Sequence, residues 1–115
     1  MEGIQMTLIF TARHFKAHDT LKEFAESELT KISKYYDGII KSEVILSFDK
    51  PTNSIKIAEI IVHANNHHTF MAKEASEDFK ISIESAIEKI AIQIKKYKDK
   101  LKDNKATAKA VTQLK

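Results

Sequence analysis

From Phe79 onward the sequence holds one apolar period for more than twenty residues. Phe79, Ile83, Ala86, Ile87, Ile90, Ile94, Tyr97 and Leu101 fall within about 100° of arc on a helical wheel. A stripe this long and narrow commits the chain to a helix that must lie on another layer, and Asp78 starts it. The helix is expected to end near Asn104, because residues 105–115 carry no apolar period and read as a frayed tail. A second stripe, Leu21, Phe24, Ala25, Leu29, Ile32, Tyr35 and Tyr36, fills about 120° of arc. Asp19 or Thr20 can cap it, and Thr20 and Glu23 have capping-box spacing. Glu28 is the one charge inside that arc and is expected at its rim. Asp37-Gly38 stops the helix, with Gly38 available for a left-handed cap.

Between and before the helices the period changes to two. Gln5 to Thr11 is a first strand, with Met6, Leu8 and Phe10 on one side. Ala12 to His18 connects it to the first helix. Ile40 to Asp49 alternates, with Val44, Leu46 and Phe48 facing one way and Glu43, Ser47 and Asp49 the other. Lys50-Pro51-Thr52-Asn53 is a turn signal. Ile55 to Ala64 is a further strand whose faces are ambiguous, since Ile60 and Ile61 are adjacent. Asn65 to His68 reads as a hairpin loop, and Thr69 to about Ala75 as the last strand. The order is β-α-β-β-β-α, an α+β class. The simplest burial packs both helices on one face of a four-stranded sheet and leaves the other face solvated. The first strand joins the sheet across a helix, which implies a right-handed crossover if the paired strands are parallel.

A chain of 115 residues is a single-domain length. The absence of cysteine excludes disulfide frameworks, Cys-based zinc sites and thiol nucleophiles. No apolar run approaches the length of a membrane span, and Met1 to Gln5 shows no secretory pattern, so a cytoplasmic protein is expected. The net charge of +3 is unevenly placed. Residues 1–90 carry 11 basic and 14 acidic side chains, whereas residues 91–115 carry eight lysines against Asp99 and Asp103. Such asymmetry points to a polyanion. Arg13 is the one arginine among 19 basic residues, and lysine meets phosphate as a point charge rather than reading base edges.

On the wheel of the last helix, Lys95, Lys98 and Lys102 gather at one edge of the apolar arc, and Lys89, Lys96 and Lys100 beyond the other. Lys31 and Lys34 on the first helix could extend the patch. If about six lysines displace counterions from RNA, log K falls against log salt with a slope near −4 to −5. The bland alternative is a set of solvated lysines at a helix C-terminus, favoured there by the helix dipole.

Other chemistry finds little support. His14 and His18 lie in a predicted loop, His63 on a strand, and His67-His68 in a hairpin, with no His-Glu-x-x-His, so no metal site is expected. Gly-x-Ser-x-Gly is missing, and two glycines cannot build a phosphate-cradling loop. Glu84 and Glu88 share a helix face and read as solvated. No catalytic residue and no cofactor is assigned. The KH and RRM signatures are also missing.

Three stretches carry a family resemblance: Thr20-Leu-Lys-Glu-Phe-Ala with Leu29-Thr-Lys-Ile-Ser-Lys-Tyr-Tyr-Asp37, Lys73-Glu-Ala-Ser-Glu-Asp-Phe-Lys-Ile-Ser-Ile-Glu84, and Ile87 through Lys102. Together with the element order they resemble the ribosome hibernation-promoting factor family of ribosome-associated translation inhibitors, formerly called sigma-factor modulation proteins, over residues 6–103. The resemblance implies a double-stranded-RNA-binding-domain-like fold and no catalysis. It implies a factor of stationary or starved bacterial cells that binds the small ribosomal subunit, by its ribosomal RNA, and the 70S ribosome, in the channel between head and body. There it would exclude mRNA and A- and P-site tRNA, with no membrane partner and a monomeric free state. A phosphate-binding role passes to Lys89, Lys95, Lys96, Lys98, Lys100 and Lys102, and to Lys31 and Lys34. The family usually has Tyr where Lys80 stands, often Gly in the hairpin where Asn66-His67-His68 stand, and some Arg in the last helix. Residues 1–104 would form the ribosome-binding domain, and 105–115 a flexible basic tail with Lys105, Lys109 and Lys115 and no acid, more like the short promoting members than the acidic-tailed ones. A general structured-RNA-binding protein, a chaperone or regulator, is the competing reading.

Overall fold

The computed structural model describes the backbone of residues 7–36, 38–49, 55–65 and 67–114, and side chains of these as far as Lys100. Six elements follow in the expected order: β1 (Thr7–Ala12), α1 (Asp19–Tyr35), β2 (Ile39–Phe48), β3 (Lys56–Ala64), β4 (His68–Ser76) and α2 (Phe79–Leu114). The strands lie in the sheet in chain order. β1 pairs parallel with β2, with α1 as the crossover, and the other two pairings are antiparallel.

The registers show how the alternation becomes a core. Phe10, Val44, Ile60 and Ala72 form one row across all four strands, and Leu8, Ser42, Val62 and Phe70 form the next. These rows face the helices, where Ala25, Leu29 and Ile32 of α1 and Ile83, Ala86, Ile90 and Ile94 of α2 join the same cluster. Leu46, Ile60, Ile83, Ile90 and Ile94 are fully buried, and each such side chain contributes roughly 1.5–3 kcal/mol over an exposed one. The Ile60/Ile61 ambiguity resolves through these rows: Ile60 is buried, while Ile61 lies in the opposite row with Ile9, Glu43 and Met71.

The element ends hold several departures. α1 is preceded by His18, which makes no side-chain cap bond, so neither Asp19 nor Thr20 caps the helix. The His18 carbonyl itself accepts from Leu21 and Lys22 N–H. At the other end Tyr36 turns extended and its N–H returns to Ile32 C=O at 3.0 Å. Gly38 is not left-handed. Its small size matters instead because the Tyr36 ring lies where a β-carbon would sit, 2.8 Å away. Among the described residues of the β3–β4 turn, His67 is left-handed, with φ 60°. Asp78, expected as the first residue of the last helix, instead caps α2 from the position before it, its Oδ1 accepting from Lys80 N–H at 2.8 Å. Ser82, buried one turn on, donates to Lys56 C=O at 2.6 Å and so ties α2 to the start of β3.

α2 does not stop near Asn104 but runs on to Leu114. Residues 105–114 contain no Gly or Pro and three alanines, so nothing in the backbone chemistry ends the helix even though its apolar stripe has ended. At about 1.5 Å per residue, its 36 residues account for most of the 60 Å long axis. The expected roles of Met6, Leu101 and the 50–53 turn lie outside the described residues or side chains.

Candidate nucleic-acid interface

α2 lies on β3 and β4 and beside α1, so its lysines divide between two neighbourhoods. The two rows seen on the wheel are two different surfaces, and what each lysine can do depends on what stands opposite.

On the β4 side, Lys89 Nζ lies 2.6 Å from Glu74 Oε2. Glu74 belongs to the inward set of β4, two residues beyond buried Ala72, and therefore points toward α2. Two and three turns further along, Lys96 and Lys100 are exposed, and neither meets a carboxylate among the described residues. Both line an open concavity of about 520 Å³ whose wall includes His68, Phe70, Gln93 and Tyr97. Gln93 is occupied: its amide donates to Met71 C=O at 2.7 Å and accepts from Met71 N–H at 3.3 Å. It thus pairs with the edge strand as another strand would.

On the α1 side, Lys98 Nζ sits 4.3 Å from the centre of the Tyr35 ring and donates to Tyr35 C=O at 3.3 Å. Cation–π attraction and the negative end of α1 both hold it there. Lys95 meets Asp99 at 3.3 Å, and Lys31 meets Glu28 at 3.1 Å, which places Glu28 at the rim as expected. Lys31 and Lys95 line the same groove of about 320 Å³ between the helices, floored by Ile32, Ile87 and Ala91. Lys34 is exposed in the last turn of α1. The Lys102 side chain lies outside the described ones.

Lysines equivalent on the wheel are therefore unequal in the fold. Lys31, Lys89 and Lys95 have carboxylate partners; Lys34, Lys96, Lys98 and Lys100 have none among the described residues. The carboxylates beside the first three offset their charge locally. Among these candidates, the unpartnered four are the ones whose charge no neighbouring carboxylate offsets.

Sequence reasoning missed the aromatic residues of this surface. His68 stacks on Tyr97, with centroids 4.0 Å apart and planes 21° from parallel, and Phe70 meets both edge-on. Tyr36 also packs edge-on against Tyr97. The sequence pattern starts the last strand at Thr69, whereas His68 already pairs with Ala64. The alternation of His68, Phe70 and Ala72 was the available signal. Phe15, read as part of a connector, stacks on Phe79 at 5.1 Å and closes the far end of the core.

The open sheet face is chemically different. Lys41 and His63 both approach Glu43, at 3.8 and 2.9 Å, and Glu59 lies opposite Lys73 in the register. Charges balance there. Among the described residues no three His, Asp or Glu side chains are grouped to hold a metal ion, and no helix is long and apolar enough to cross a membrane.

Known proteins agree with this architecture. Residues 8–102 match the family described as sigma 54 modulation protein / S30EA ribosomal protein. The ribosome hibernation promoting factor of Escherichia coli is 29% identical over 99 residues, covering 86% of this chain and all of that one. A ribosome hibernation promotion factor of a Picosynechococcus species is 32% identical over 101 residues, covering 83% of this chain and 50% of the relative. Among solved structures, a ribosomal subunit interface protein from Coxiella burnetii superposes with a TM-score of 0.73 at 24% identity, covering 82% of this chain and 99% of that one. The N-terminal domain of Thermus thermophilus Protein Y superposes with a TM-score of 0.70 at 22% identity, covering 81% and 99%. At those identities the structures speak for the fold alone. The sequence matches carry the kinship, to a group of ribosome-associated hibernation factors rather than enzymes. By the match over 8–102, this chain belongs to the sigma 54 modulation protein / S30EA ribosomal protein family.

Proposed function

We propose that the chain silences translation by occupying the decoding channel of the small ribosomal subunit in stationary or starved bacterial cells. There it would exclude mRNA and the A- and P-site tRNAs. The observation that carries the reading is the helical face, where Lys34, Lys96, Lys98 and Lys100 stand without carboxylate partners among the described residues. The opposite face of the sheet is charge-balanced. A factor with one cationic side and one neutral side can lie against an RNA wall on the first and leave the second to the cleft. Lysine in place of arginine suits contact with phosphates and RNA shape. Lys105, Lys109 and Lys115 would extend the charge as a basic tail beyond a ribosome-binding unit of residues 1–104. The factor would act in the cytoplasm, as a free monomer between binding events.

Cosedimentation with 30S and 70S particles tests this directly. The protein should pellet with both, be displaced by mRNA with tRNA, and inhibit a cell-free translation reaction. Lys96→Glu with Lys100→Glu should abolish both pelleting and inhibition while circular dichroism stays unchanged. Equal affinity for arbitrary structured RNA would instead favour a general RNA-binding protein.

A further inference from the structure

We infer that the concavity between β4 and α2 is a binding site for one unstacked nucleotide, with its base against the His68–Tyr97 aromatic cluster and its phosphate between Lys96 and Lys100. This deepens the ribosome-binding reading and rests on it for the biological source of the nucleotide.

Three observations converge. The first is size: about 520 Å³ is within the range of small-molecule sites. The second is the wall. His68, Tyr97 and Phe70 form a connected aromatic cluster with centroid separations of 4.0, 4.6 and 5.5 Å. Phe70 is almost fully buried, so the cluster is anchored in the core. An aromatic wall that is already ordered loses little freedom when a base stacks on it. The third is charge. Lys96 and Lys100 line the same concavity one helical turn apart, and neither has a carboxylate partner among the described residues. Aromatic surface beside two free cations is the combination that single-stranded nucleic-acid sites use, and it tolerates any base because every base has a π-face.

The side-chain amide of the wall argues for stacking rather than base reading. Gln93, the one side-chain amide in the lining, has its amide nitrogen and oxygen both engaged by Met71. The site should thus discriminate weakly between bases.

The test has two arms, since a looped-out RNA nucleotide and a free mononucleotide present the same chemistry. In the first, NMR follows the protein titrated with AMP, UMP and ribose 5-phosphate. The nucleotides should shift the His68, Phe70 and Tyr97 ring signals and bind about tenfold tighter than ribose 5-phosphate. In the second, the probe is an RNA hairpin carrying one bulged 2-aminopurine, with an abasic bulge as control. The 2-aminopurine fluorescence should be quenched on binding, and the abasic hairpin should bind about tenfold more weakly. His68→Ala should remove the base-dependent part in either arm, whereas His68→Phe should keep it. A base-dependent effect in the first arm alone assigns the site to free nucleotides, and in the second to RNA. No base dependence in either arm, or base dependence unaltered in His68→Ala, overturns the inference. Cosedimentation of His68→Ala with 30S particles reports separately on ribosome binding, so a loss of stacking with retained pelleting rejects neither reading by way of the other.

Discussion

The inequality among the lysines of α2 can be measured as a salt slope. Four lysines, Lys34, Lys96, Lys98 and Lys100, have no carboxylate partner among the described residues. Each phosphate contact releases counterions and adds roughly 0.7–0.9 to the slope of log K against log salt, so four predict about −3 to −4. Affinity for 30S particles should then fall about 50- to 150-fold between 50 and 200 mM potassium chloride at fixed magnesium. The double variant Lys96→Gln with Lys100→Gln removes two contacts. Its slope should flatten to about −1.5 to −2, and its loss over the same salt range to about tenfold. Lys89→Gln is the informative comparison. Its ammonium already lies 2.6 Å from Glu74, so it should leave the slope within about half a unit of the parent.

The wheel alone, with six equivalent lysines, demands a slope near −4 to −5 and the same change for Lys89 as for any other member of its row. Filter binding or sedimentation at four or five salt concentrations separates the two. If Lys89→Gln flattens the slope as much as either Lys96→Gln or Lys100→Gln singly, the assignment of phosphate contacts by ion-pair status is wrong. If the double variant leaves the slope unchanged, this side of α2 does not face RNA.

Three further outcomes follow from the packing. Ser82→Ala removes the buried hydroxyl that serves Lys56 C=O and Ser76 Oγ. Urea unfolding should show a loss of about 1–3 kcal/mol, since alanine's better helix propensity offsets only a few tenths of it. Gln93→Ala exposes the edge of β4, and hydrogen exchange at the Met71 amide should speed up selectively while the Phe70 region stays protected. On the open sheet face, Lys41→Gln with Lys73→Gln should leave the salt slope of 30S binding unchanged, because these lysines stand beside Glu43 and Glu59; a flattened slope would place RNA on that face too.

What could be read from the sequence, and what could not, divides along a physical line. Periodicity reports burial, so Ile83, Ile90 and Ile94 declare the inward face of α2, and Val44 and Leu46 that of β2, with no knowledge of partners. The parallel β1–β2 pairing could be anticipated only as a condition, because a helix between two strands permits it without requiring it. Helix ends were less legible: the Asp78 cap and the main-chain closures at His18 and Tyr36 rest on local end geometry that periodicity does not report. For the candidate site the limit is sharper. A helical wheel shows Glu28 beside Lys31 and Asp99 beside Lys95, but it cannot show a partner from another element. Glu74 is fifteen positions before Lys89 in sequence and reaches it only because β4 is the edge strand under α2. The same strand brings His68 onto Tyr97 across 29 residues. Position of charge is thus a local property of the chain, whereas availability of charge at a residue such as Lys89 is also set by the sheet order, and binding depends on both.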